Sequence, residues 1–229
     1  MEKLKNIKAV IFDLDGVITE TSDLHTRAWR KMANEENMPF DEETADKLRG
    51  VSRKRSLEIM LEDAKTKYGF DKEYTEEEFK ELMDRKNGYY VASLSALGPD
   101  DKLPGAQEIM DYLRVKGYRI AVGSSSKNAE AVIENLKIKD QLEATVNGTE
   151  IAHSKPHPEI FQKVADKLGL PYDQCVVVED AASGVESANA GGMVSIGIGP
   201  ENRFKEIKEK PDLRFDDMQA FNKKKEEIF

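Results

Sequence analysis

Lys8-Ala9-Val10-Ile11-Phe12-Asp13-Leu14-Asp15-Gly16-Val17-Ile18-Thr19 decides how the rest of the chain is read. Its first half is a continuous apolar run of β-branched and aromatic residues, the pattern of a short strand covered on both faces. The run then stops at two aspartates around Leu14. A charge left unpaired in a core costs on the order of several kcal/mol, so this strand is predicted to deliver Asp13 and Asp15 at its edge. Side chains two apart on an extended chain share a face. One carboxylate is therefore placed to attack an electrophile while the other gives or takes a proton. A polar turn that merely ends a strand is the plainer reading of the same residues.

Working outward, similar apolar runs return only late, at 118–123, 175–178 and 193–198, with weaker ones at 142–146 and 213–215. Helical stripes separate them: Ile109, Met110 and Leu113 before Gly117; Val132, Ile133 and Leu136; Ile160, Phe161, Val164 and Leu168 before Gly169. Alternating strands and helices predict an α/β fold with one parallel sheet. Before residue 97 the stripes are only helical. Leu24, Ala28, Trp29 and Met32 form one; Leu57, Met60, Leu61, Ala64 and Tyr68 form another. Thr75 with Glu78 makes a capping box opening a third, with Phe79, Leu82, Met83, Lys86 and Tyr90 on neighbouring turns. The expected organisation is a discontinuous core, 1–19 and 97–229, with a helical domain inserted at 20–96. Open parallel sheets bind ligands beyond the C-terminal ends of their strands, so the insert is expected to cover that edge.

Composition narrows the function. With 229 residues, 39% hydrophobic and 34% charged, the chain can bury a core and keep a solvated surface. Its 44 acidic and 35 basic residues leave a net charge of −9, which works against nucleic acid or anionic lipid as a partner. Glu2, Lys3 and Lys5 precede an apolar run broken by Asp13, which resembles neither a signal peptide nor a membrane span; a cytoplasmic protein is expected. Cys175, the single cysteine, forms no intramolecular disulfide and is predicted to be a small apolar side chain in a buried strand. Asn147-Gly148-Thr149 matches a glycosylation acceptor, a chance match where no export signal precedes it.

Three further polar clusters lie at predicted strand ends or helix entrances. Glu179-Asp180 follow Val176-Val177-Val178 and offer the hard oxygen ligands that Mg²⁺ prefers. A carboxylate nucleophile approaching a phosphate meets like-charge repulsion, which Mg²⁺ and a lysine would offset; Lys155, before Pro156, is the candidate. Ser124-Ser125-Ser126-Lys127-Asn128 opens a helix after a strand, where hydroxyls and free N–H groups make an anion site. A serine cluster that caps the helix fits the same residues.

Taken in order, Asp13-Leu14-Asp15-Gly16-Val17, the Ser124 strand end, Lys155 and Glu179-Asp180 resemble the four motifs of the haloacid dehalogenase superfamily. The resemblance implies a doubly wound core, a helical cap inserted after the first motif, and a phosphorylated first aspartate. Within the superfamily, Asp13 to Thr19 with Thr21, His25 and Trp29, Gly50-Val51-Ser52-Arg53, Arg85-Lys86-Asn87 and Ser126-Lys127-Asn128 are similar to its sugar phosphomutases. That similarity implies conversion of β-D-glucose 1-phosphate to D-glucose 6-phosphate through a phospho-aspartate and glucose 1,6-bisphosphate. It makes Asp13 the nucleophile and Asp15 the general acid/base, with Asp13, the Asp15 carbonyl, Glu179 and Asp180 around Mg²⁺. Ser124, Ser125 and Lys155 would hold the transferring phosphoryl. Arg53, Ser126, Lys127 and Asn128 would take the other phosphate, Thr21, His25 and Lys86 would tie cap closure to the placement of Asp15, and Trp29 and Gly50 would join them in binding the substrate.

The resemblance also implies a monomer that acts on small sugar phosphates. The sequence departs from the family at Ala181, where serine is common, and at Val146-Asn147-Gly148, a stretch that often carries an acid. A sugar-phosphate phosphatase shares most of this machinery, and a non-enzymatic sugar-phosphate sensor would keep the pocket. Dehalogenation has no need of Mg²⁺ and phosphonate cleavage none of Asp15.

Overall fold

A computed structural model describes residues 4 to 229; Glu2 and Lys3, used in reading the N-terminus, lie outside them. Six strands, β1 (Ala9–Phe12), β2 (Arg119–Gly123), β3 (Ala144–Val146), β4 (Cys175–Glu179), β5 (Val194–Ile198) and β6 (Leu213–Phe215), form one sheet. Their order is β3-β2-β1-β4-β5-β6 and every pairing is parallel. Nine helices accompany them among the described residues: α1 (Ser22–Glu35), α2 (Glu42–Lys47), α3 (Arg53–Tyr68), α4 (Glu76–Leu94), α5 (Ala106–Val115), α6 (Ala129–Asn135), α7 (Glu159–Leu168), α8 (Ala182–Ala190) and α9 (Met218–Ile228). None is long and apolar enough to cross a membrane.

The alternation within β1 shows why the sheet is covered on both sides. Val10 and Phe12 join one apolar cluster with Ile109, Met110 and Leu113 of α5, Val132 and Ile133 of α6, and Phe221 of α9. Ala9 and Ile11 join a second with Ile160, Phe161 and Val164 of α7 and Ala188 of α8. All four β1 side chains are fully buried, and each of the larger three contributes roughly 1.5–3 kcal/mol by leaving water. The strand order runs outward from β1 through β2 and from β4 through β5, so the topology reverses between β1 and β4. A crevice opens at such a switch point.

Helices α1 to α4 carry a third cluster of their own: Trp29, Met32, Leu57, Met60, Ala64 and Leu82. The capping box is present, with Thr75 Oγ1 accepting from Glu78 N at 3.2 Å and Glu78 Oε2 accepting from Thr75 N at 2.8 Å. Tyr68, placed on the α3 stripe by spacing, is instead 52% exposed, and its hydroxyl donates to Asp41 Oδ2 at 2.7 Å. By that last turn the stripe has passed the edge of the cluster. At its other end α4 leaves the insert's cluster: Tyr90 and Leu94 belong to the main core. The segments entering and leaving the insert lie side by side, for Thr19 bridges to Lys102 and Thr19 Oγ1 donates to the Asp101 carbonyl at 2.7 Å.

Candidate active site

The pairing of β1 with β4 puts Asp13 beside Glu179 and Asp180, and Asp13 N donates to the Val178 carbonyl at 2.9 Å. Lys155 Nζ sits between two carboxylates, 2.6 Å from Asp13 Oδ1 and 2.6 Å from Glu179 Oε2, with its side chain fully buried. The other Glu179 oxygen accepts from Asp180 N at 3.1 Å and Ala181 N at 2.9 Å. Two glycines make room for this density of charge. A Cβ on Gly184 would stand 1.9 Å from Glu179 Oε2, and one on Gly16, whose φ is +82°, would stand 2.4 Å from Asp180 Oδ2. Asp180 Oδ2 also faces Arg203 Nη1 at 3.2 Å and Arg49 Nη1 at 3.6 Å.

Burial, then the neighbouring Glu179 charge, raises the Asp13 pKa well above the carboxylate range, with Lys155 pulling against both. The same two causes push Asp180 up to about 7 against Arg203 and Arg49. For Lys155, burial opposes the charge, but Asp13 and Glu179 outweigh it and hold the ammonium above its ordinary value. A carboxylate oxygen from each of Asp13, Glu179 and Asp180 lies within 4.8 Å of the others. Three hard oxygens at that spacing suit a Mg²⁺ ion, whose charge would relieve the crowding. Both Glu179 oxygens already accept hydrogen bonds, so Asp13 and Asp180 offer the more open lone pairs.

Asp15 is half-buried, and its Oδ1 is a buried atom without a hydrogen-bond partner. Burial, then the Glu20 charge, raises its pKa to about 7, the range in which a carboxyl exchanges protons readily at neutral pH. At the end of β2 the serine loop is knitted by its own hydroxyls: Ser126 N donates to Ser124 Oγ and Asn128 N to Ser126 Oγ, both at 3.2 Å. Ser125 Oγ reaches across to the insert and donates to the Gly50 carbonyl at 3.1 Å. Lys127 is exposed on the wall of the cleft.

The opposite wall is cationic. Lys86 is 2% exposed, and its Nζ lies 2.6 Å from His25 Nδ1. The Trp29 and Tyr90 rings flank it at 4.9 and 5.0 Å, and His25 stacks on Tyr90 at 3.8 Å. No carboxylate among the described residues forms an ion pair with Lys86. Burial, then Arg53, depresses Lys86 to about 7; burial, then Lys86, lowers His25 as well. Arg53 opens α3 and donates from Nη2 to Asn87 Oδ1 at 2.7 Å. Between the two walls lies a cavity of about 480 Å³, lined by Asp13, Asp15, Arg53, Lys86, Lys127 and Asp180 among others. Thr21 is buried behind the cavity lining, its hydroxyl without a partner.

The structure thus gathers Asp13, Asp15, Lys155, Glu179 and Asp180 at one crevice, and sets His25, Trp29, Gly50, Arg53 and Lys86 across from Ser124 to Asn128. Arg49 and Arg203 went unread, since nothing in their sequence neighbourhood signals that both meet Asp180. Of the two departures, Ala181 supplies only its backbone N–H to Glu179. Beyond Val146-Asn147-Gly148, the acid is Glu150, which accepts from Asn147 N at 3.0 Å and lies 2.5 Å from Lys167 Nζ.

Fold and crevice are those of an α/β enzyme, and residues 7–192 match the family profile of haloacid dehalogenase-like hydrolases; the chain belongs to that family. Among its relatives is a β-phosphoglucomutase from Bacillus subtilis, 39% identical over 193 residues that cover 84% of each chain. The crystal structure of a β-phosphoglucomutase from Clostridium difficile superposes with a TM-score of 0.87 at 34% identity, covering 97% of both chains. A phosphorylated carbohydrates phosphatase from Thermotoga maritima is 29% identical over 192 residues, 83% of this chain and 84% of that one.

Proposed function

We propose that the protein is a β-phosphoglucomutase, interconverting β-D-glucose 1-phosphate and D-glucose 6-phosphate through glucose 1,6-bisphosphate. The observation that carries this reading is the wall of Arg53 and Lys86, two buried or half-buried basic side chains that form no ion pair among the described residues, with His25 beside Lys86, facing the Asp13 crevice. One anion site suffices for a phosphatase. A second, across the cavity, suits a substrate with a phosphate at each end.

Asp13 attacks the phosphorus of the bisphosphate; the bond from phosphorus to the sugar oxygen breaks, and Asp15 donates a proton to that oxygen. When the group taken is the one on O1, glucose 6-phosphate leaves, and in the return step the 6-hydroxyl of an incoming glucose 1-phosphate gives its proton to Asp15 and takes the phosphoryl group from Asp13, re-forming the bisphosphate. Lys155 and the Ser124 loop orient the transferring group. Arg53, Ser126, Lys127 and Asn128 hold the phosphate that stays, with Lys86, held by His25, behind them. Asp13, Glu179 and Asp180, with the Asp15 carbonyl, would hold Mg²⁺, which neutralises charge on the phosphoryl oxygens. Water stands at about 55 M in bulk, so a phospho-aspartate awaiting a sugar must be shielded from it; closure of α1 to α4 over the crevice serves that end.

A phosphatase is the second reading, favoured by the Thermotoga maritima relative. One experiment separates them: formation of glucose 6-phosphate from each glucose 1-phosphate anomer, with Mg²⁺ and a trace of bisphosphate, run beside release of free phosphate. Glucose 6-phosphate from the β anomer in large excess over free phosphate supports the mutase; the reverse ratio overturns it.

A further inference from the structure

One side chain beside the cavity makes both of its side-chain hydrogen bonds with groups assigned to the distal phosphate. Asn87 lies on α4, one residue beyond Lys86. Its Oδ1 accepts two hydrogen bonds, from Arg53 Nη2 at 2.7 Å and from Asn128 Nδ2 at 2.8 Å. Arg53 starts α3 in the insert, whereas Asn128 precedes α6 in the core. A single carbonyl oxygen therefore ties two helices of the insert to the phosphate loop of the sheet. Arg53 forms no other hydrogen bond among the described residues, so the rest of its fork stays open toward the cavity that it lines.

Resting on the mutase reading, we propose that Asn87 is a positioning residue that yokes Arg53 to Asn128 and so assembles the grip on the non-transferring phosphate only when the insert is closed on the core. An arginine holds a phosphate best when its planar fork is already aimed. Asn87 fixes that aim while leaving donors free. The same bond makes closure and phosphate recognition one event, since swinging Arg53 away from the core breaks the bond to Asn128 or to Arg53 itself. Asn87 touches no reacting atom, and its effect is confined to ligands that carry a second phosphate.

The test compares two phosphoryl donors on wild type, Asn87→Ala, Arg53→Ala and the double variant. Glucose 1,6-bisphosphate has the second phosphate; acetyl phosphate lacks it. Asn87→Ala is expected to raise KM for the bisphosphate about tenfold or more, the loss of a hydrogen bond to a charged group. Turnover with acetyl phosphate should stay within about twofold, and the share of product appearing as free phosphate should rise. Because Asn87 acts through Arg53, the double variant should lose little beyond Arg53→Ala alone. An unchanged bisphosphate KM in Asn87→Ala, additive losses in the double variant, or an equal fall with both donors overturns the inference. If Arg53→Ala itself leaves the bisphosphate KM unchanged, the two-phosphate grip falls and the yoke with it; if Arg53→Ala is impaired while Asn87→Ala behaves as wild type, only the yoke falls.

Discussion

The two walls of the cavity handle charge in opposite ways. On the core side, Lys155 lies 2.6 Å from both Asp13 and Glu179, and Asp180 has arginines on two flanks. On the insert side, Lys86, His25 and Arg53 crowd together with aromatic rings and an asparagine for company. The core wall crowds carboxylates in a fixed lattice of hydrogen bonds, an environment that suits the accurate placement of a cation and, on the proposed function, of a phosphoryl group. The insert wall holds Lys86 and Arg53 without an ion-pair partner among the described residues, a condition an arriving anion can relieve. Chemistry needs the first kind of site and recognition the second.

The largest test of this contrast is Asp13→Asn, which removes the proposed nucleophile while keeping its shape. The coupled assay should show kcat lower by on the order of 10⁴ to 10⁶, and anything near the wild-type rate would move the chemistry elsewhere. Next comes Lys155→Met, which leaves buried carboxylates facing one another; urea unfolding at pH 8 should show a loss of about 3–5 kcal/mol. Burial and Glu179 already raise Asp13 above the range of an unfolded aspartate, so the folded variant binds more protons than the unfolded chain. Its stability must rise as pH falls from 8 toward 5, and its deficit against wild type should shrink.

On the insert side, Lys86→Met should act with the opposite pH sense. With Lys86 depressed to about 7 from 10.5, the unfolded chain holds the extra proton between those values. Wild-type stability therefore gains as pH rises through 7 to 9, and the variant lacks that increment; parallel melting curves at the two pH values would refute the unmatched charge. The smallest effect is expected from Thr75→Ala, far from the cavity, where loss of the capping box should cost about 1 kcal/mol and leave both halves of the coupled assay unchanged.

How far the sequence revealed these walls depends on the kind of signal each residue carries. Asp13 was legible because an apolar run must stop to expose a charge, and the six strands were legible as apolar runs even where β3 and β6 shrink to three residues. Helix α2 offers no stripe in Glu-Glu-Thr-Ala-Asp-Lys, and α8 is built from small residues, Ala-Ser-Gly-Val-Glu-Ser-Ala-Asn-Ala, that pack without an apolar pattern. Neither drew attention. Arg49, Arg203 and Gly184 matter through what they approach in space, and an arginine or a glycine carries in the sequence no mark of those neighbours. Asn87 was visible as part of a motif, but its two hydrogen bonds join residues 34 and 41 positions away.

Helix α4 roots its Tyr90 and Leu94 in the main core while Leu82 packs within the insert. It is therefore a lever with its fulcrum at one end. At a rise of about 1.5 Å per residue, Asn87 sits ~5 Å from Tyr90 and the start of the helix ~21 Å away. A tilt of ~10° about Tyr90 displaces Asn87 by under ~1 Å but carries the far end almost ~4 Å. The mechanical advantage runs toward the fulcrum: a large swing at the rim of the insert would be geared down to a fine adjustment beside the serine loop.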